Sequence, residues 1–194
     1  DHLTPPLSAT PLYDRLLELR QVVESFEAAT SESLRTRAAA TMREQVIALN
    51  LRTELEAIRH RAAGFKRRPR VYFEEWDEPH ISGIRWVSEL IGIAGGDDVF
   101  PELALQAMGK DRIIADGQTI IDRAPDIVIG SWCGKKFRLE KVAQRAGWQD
   151  VPAVRHGQLF EIKSADILQP GPAALTDGVV QLHRIMAQWE AQHA

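Results

Sequence analysis

The run Ile127-Val128-Ile129, held between Pro125-Asp126 and Gly130, constrains this chain more than any other stretch. Its residues are β-branched and consecutive, so they suit a strand and leave neither face polar. A strand that is apolar on both faces must be covered on both. Strands inside a parallel sheet between helices are in that situation.

The neighbouring segments supply the alternation such a sheet needs. Residues 70–76 (RVYFEEW) read as a strand. Residues 82–96 read as a helix, starting at the N-cap Ser82 and stopping at the paired glycines Gly95 and Gly96. Residues 112–115 form a short strand, residues 116–124 a helix stopped by Pro125, and residues 126–132 the buried strand. Residues 138–146 form a helix closed by Gly147. Residues 153–163 read as a hairpin turning at His156-Gly157, and residues 172–192 as a closing helix with Pro172 in its first turn. The fold class is therefore α/β, a three-layer Rossmann-like lobe with a mainly parallel sheet.

A long helical segment precedes it. Residues 1–11 are Pro-rich and extended. Leu12, Leu16, Leu19, Val23 and Phe26 then recur at helical spacing. Residues 30–33 (TSES) offer N-caps for a second helix, broken at most once, ending near Ala63 with Gly64 as its cap. Residues 65–70 are a basic, solvated joint. The expected division is 1–66, the Pro-rich start and helical region, and 67–194, the α/β lobe.

Several function classes are excluded. A net charge of −3 and a pI near 6.1 give no electrostatic hold on nucleic acid. No apolar run approaches the roughly 20 residues that span a bilayer. The single cysteine, Cys133, rules out an internal disulfide and a Cys-rich zinc site. Residues 1–10 lack the basic start and apolar stretch of an export signal, and the chain begins without Met. The expectation is a processed chain or a fragment, with room for a removed signal.

In open α/β sheets, ligands bind beyond the carboxyl ends of the strands. Three loops are expected at that edge, at 74–82, 131–136 and 164–172. As a nucleophile, Cys133 would need a base and an orienting group. His80 or His156 could approach it, and Lys135 and Lys136 could favour its thiolate, but no spacing ties them together, so a wall residue is expected. Glu74, Glu75, Asp77, Glu78 and His80 match no metal loop, and alternation on a strand end points their side chains apart. They are expected to form a solvated or interface acidic edge, with no metal and no resident cofactor. No phosphate-binding glycine motif, GxSxG or HExxH is present. Trp76 and Trp132, at two strand ends, suit a large flat ligand, whereas Trp86 belongs to the core.

Three blocks within residues 69–192 carry a resemblance: RPRVYFEEWDEPHISGIRWVSELIGIAGGDDVF, APDIVIGSWCGKKF and VPAVRHGQLFEIKSADILQPGPAAL. In order and spacing they resemble the C-terminal lobe of substrate-binding proteins for cobalamin and ferric-siderophore ABC importers, nearest the cobalamin-binding branch. The resemblance implies two α/β lobes joined by a long helix, a ligand held between them, docking on a membrane permease, a periplasmic location and no enzymatic chemistry. The transported ligand would be a corrinoid or a ferric siderophore, with haem using similar sites.

Carried over by position, the ligand-binding residues implied are Trp76, His80, Ile81, Trp132, Cys133, Asp166, Ile167 and Leu168. Permease docking falls near Gln118, which is not an acid, with Asp116 as the substitute. The N-terminal lobe of the family has no counterpart in residues 1–63. A fragment or a one-lobed relative is therefore expected, and an exposed cleft face or helix stripe could pair two copies as a homodimer. An oligomerising interaction protein is the rival reading.

Overall fold

The computed structural model describes residues 17–24 and 32–194. They fall into two compact units, divided between Arg52 and Thr53. In the first unit, residues 17–24 form helix α1, where Leu19 and Val23 are half-buried. Leu12, Leu16, Phe26, the Pro-rich start and the Thr30 cap lie outside the described residues. Helix α2, Glu32–Ala62, is unbroken.

The second unit is built on strand β4, Ile127–Gly130, all of it buried. Strand β1, Arg70–Asp77, lies parallel to it, with Val71 opposite Ile127 and Glu74 opposite Gly130. Strand β5, Leu159–Glu161, is parallel to β4 on its other side. The far edge of β1 is shared. The two-residue strand β3, Asp97–Asp98, pairs in parallel with its start, and strand β2, His80–Ser82, turns back antiparallel along its end.

Alternation sends Val71, Phe73, Ile127 and Ile129 to one face. There they meet helix α3, Arg85–Ala94, and helix α9, Val179–His193, through Val87, Leu90, Ile91, Leu182 and Met186. Tyr72 and Val128 go to the other face, against Phe100, Ile120, Val142, Trp148 and Val151. Both faces of the sheet are covered, so the lobe has three layers, as the apolar run of β4 required.

Local expectations fail where tertiary contacts outbid local signals. Ser82 does not cap α3: it belongs to β2, its hydroxyl donates to the Arg112 carbonyl at 3.4 Å, and the N-cap is Ile84. Residues 112–115 are no strand. A 3₁₀ turn, Gly109–Arg112, is followed by a lone bridge from Ile113 to Ile81.

The expected hairpin at 153–163 is a one-turn helix α7, Pro152–Arg155, a turn at Gly157 and then β5. Its buried Ala153 N–H donates to the Pro125 carbonyl at 3.0 Å, and β5 pairs with β4 instead of folding onto its own preceding segment. The expected loop at 74–82 is a β1–β2 hairpin containing a cis Glu78–Pro79 bond. The expected loop at 164–172 contains helix α8, Ser164–Ile167. Short helices α4 (Pro101–Ala104), α5 (Gln118–Asp122) and α6 (Leu139–Ala143) complete the unit.

Candidate functional site

The carboxyl ends of β1 and β4 come together, and Glu74 is the joint between them. Its side chain is fully buried (0% exposed). A bare carboxylate there would be very costly, and it persists because donors surround it. Arg145, just beyond α6, grips it with two nitrogens at 2.7 and 2.8 Å. The Tyr72 hydroxyl donates at 3.1 Å, the Trp132 indole N–H at 3.1 Å, and His80 Nδ1 approaches to 3.2 Å. Burial alone would push the Glu74 carboxyl up. Hydrogen bonds from His80 and Arg145 outweigh it and hold the carboxyl below its ordinary value. Burial, then the neighbouring Glu74 charge, pushes the Tyr72 hydroxyl well above its ordinary value.

The expected acidic edge is therefore corrected. Glu74 and Asp77 are buried. Glu75 forms a two-nitrogen pair with the buried Arg112, at 2.6 and 3.1 Å, and the same guanidinium donates to the Ser82 carbonyl. Of these five, Glu78 is exposed, while Glu75 and His80 are half-buried. Among the described residues no group of three or more His, Cys, Asp or Glu could hold a metal ion.

A bulge between Glu74 and Trp76 breaks the alternation of β1. Lys135, in the loop after β4, pairs with the Asp77 carboxylate at 2.7 and 2.8 Å. Its ammonium lies 5.4 Å from the Trp76 ring centre and 5.0 Å from that of Trp132. The two tryptophans expected at one sheet edge are thus brought together around one cation. They are not equivalent. Trp76 is half-buried and donates its N–H to the Glu78 carbonyl at 3.0 Å, whereas Trp132 is 4% exposed and packs on Phe137.

Beside them opens a cleft of ≈ 360 Å³. His80, Glu78, Asp116, Gly117, Arg145 and Trp148 contribute to its lining. Asp116 and Gln118 are both exposed; the Gln118 N–H donates to Asp116 at 2.9 Å. Ile81 is half-buried in β2, opposite Trp76. Cys133 is exposed and, among the described residues, makes no hydrogen bond or ion pair.

The third expected loop does not reach the cleft. Asp166 accepts from Gln181 at 3.1 Å, Leu168 packs on the core, and Ile167 is fully buried, its carbonyl accepting from Trp86 at 2.9 Å. Ile167 is a core residue, and its position in α8 explains why.

Sequence reasoning missed Arg145, Trp148 and Tyr72. Arg145 is 71 residues from Glu74, and no spacing signal connects them. Tyr72 had a usable signal, since it stands two residues before Glu74 on the same strand face.

A sequence profile described as periplasmic binding protein matches residues 42–165. No curated protein matches the chain. Solved structures with a similar fold include a periplasmic binding protein from Veillonella parvula (22% identity, TM-score 0.57), covering 79% of this chain and 51% of that one. A periplasmic vitamin B12 binding protein, BtuF of Vibrio cholerae, matches at 18% identity and TM-score 0.53, over 89% of this chain and 62% of that one. IsdE of S. aureus, solved with heme, matches at 16% identity and TM-score 0.61, over 90% and 64%. The chain thus spans about half to two thirds of the length of these structures.

Proposed function

The chain belongs to the periplasmic binding protein family, and from that premise we propose that it is part of the substrate-binding component of an ABC importer, capturing a corrinoid without chemistry. The observation that carries the reading is the pair Trp76 and Trp132 around Lys135, at the carboxyl edge and next to an open cleft. A flat ligand gains contact area on the half-buried Trp76, less than the about 1.5–3 kcal/mol of a fully exposed large side chain, while the buried Trp132 offers it almost none. The salt bridge to Asp77 keeps the ammonium between the rings, so the platform is ordered before the ligand arrives.

In this reading Trp76, Ile81 and His80 contact the ligand directly, Trp132 backs them through Glu74, and Cys133 contributes a small exposed wall. The exposed Asp116–Gln118 turn is the permease-facing rim. Capture in the periplasm fits the family. Among the described residues no helix is long and apolar enough to cross a membrane.

The test is a calorimetric titration with cyanocobalamin, run beside haem and a ferric hydroxamate. Saturable corrinoid binding, weakened by Trp76→Ala, is expected. Tighter binding of haem or the hydroxamate would move the ligand class. Absence of binding to all three at millimolar concentration would end the reading.

A further inference from the structure

His80 is held in a way that fixes what it offers a ligand. Its Nδ1 lies 3.2 Å from Glu74 Oε2. The Glu74 carboxylate also takes two nitrogens of Arg145, the Tyr72 hydroxyl and the Trp132 indole, so it acts purely as an acceptor. Nδ1 must therefore carry the proton of that contact. In the neutral ring Nε2 is then left bare, an acceptor with no hydrogen to give.

Nε2 faces the cleft at Gly117. A Cβ built on Gly117 would lie 3.7 Å from Nε2 and 3.8 Å from Cδ2. The backbone of Gly117 is right-handed helical (φ −60°, ψ −22°), a conformation open to any residue. The turn does not need a glycine; the missing side chain leaves the approach to Nε2 open. Three side-chain donors nearby are already engaged. Arg145 is committed to Glu74, Lys135 to Asp77, and Gln118 Nε2 to Asp122 at 2.8 Å. The carboxylate of Glu78, on the same lining, has no partner among the described residues.

We infer that His80 is a specificity-determining residue, presented by Glu74 as a hydrogen-bond acceptor, and that the cleft selects a ligand whose rim carries N–H donors such as primary carboxamides over one whose rim carries carboxylates. The inference rests on the corrinoid reading and deepens it. Glu74 and Arg145 are positioning residues in this scheme, because they act through the ring.

The experiment compares dicyanocobinamide, with carboxamides on its rim, and dicyano-cobyrinic acid, with carboxylates, by tryptophan-fluorescence titration at pH 8. The carboxamide form is expected to bind at least about tenfold more tightly. His80→Ala should reduce that ratio to within about threefold. Gly117→Ala should lower carboxamide affinity by about tenfold with the thermal midpoint unchanged, which separates ligand access from folding. Equal affinity for the two forms, or tighter binding of the acid, would overturn the inference while leaving corrinoid capture in place. So would an absorption shift of diaquocobinamide that His80→Ala abolishes, since Nε2 would then be taking the metal. Failure of both probes to bind the wild-type chain would remove the corrinoid reading and this inference with it.

Discussion

Glu74 is a fully buried carboxylate on which several parts of the site converge. Its five hydrogen-bond contacts hold three aromatic or imidazole rings and one guanidinium on a single carboxylate. Removing the Arg145 end leaves a buried charge uncompensated. Arg145→Ala is expected to lose about 3–5 kcal/mol of stability in urea unfolding. Tyr72→Phe, which deletes one donor and keeps the ring, should lose about 1 kcal/mol. The site also predicts a pH dependence. Glu74 titrates lower folded than unfolded, so on acidification the unfolded chain takes up the proton first. The stability it contributes is full above its ordinary value of 4.5 and is lost as pH falls through the depressed folded value. Tyr72 has the opposite window: its folded value is raised, so its contribution is full below 10.0 and declines as pH rises above it. Thermal midpoints measured from pH 3 to 11 should fall at both ends, and Tyr72→Phe should flatten the alkaline side.

Among elements, β4 and the loop after it decide whether the site forms. Gly130 ends the strand, and a Cβ there would lie 1.9 Å from the Phe137 ring. That ring packs against Trp132 at 4.9 Å, with its plane turned 69°. Gly130→Ala must push Phe137 outward and disturb Trp132 with it. Overpacking of this kind costs about 1–3 kcal/mol, and the tryptophan emission spectrum should shift red as the ring meets water. Ile129→Ala, on the opposite face against α3 and α9, is expected to cost about 2–5 kcal/mol by opening a cavity, read as a lower urea midpoint.

For the whole molecule, binding and stability are linked. A ligand that binds only the folded lobe adds about 2.7 kcal/mol at a hundred times its dissociation constant, so cyanocobalamin should raise the thermal midpoint in proportion to the logarithm of its concentration. The gain should be smaller in Trp76→Ala, whose side chain is half-buried and can be removed without opening the core.

The layers were legible in the order of the residues. Consecutive apolar residues in β4, alternation in β1 and the glycine stops after α3 leave few arrangements other than a covered, mainly parallel sheet, because each rests on contacts within a few residues. Trp76 and Trp132 were also legible at one edge, since one ends β1, the other follows β4, and the two strands run the same way. The acidic run read as a solvated or interface edge, Arg145 and Trp148 carried no mark of the site, and Tyr72 carried one only through its strand spacing from Glu74. Their roles depend on which loops meet, and a carboxylate looks the same in sequence whether it faces water or a guanidinium. That Glu74 is buried, with Arg145 and His80 Nδ1 against it, came from the tertiary structure, because a buried ion pair is made by partners the chain brings together from far apart.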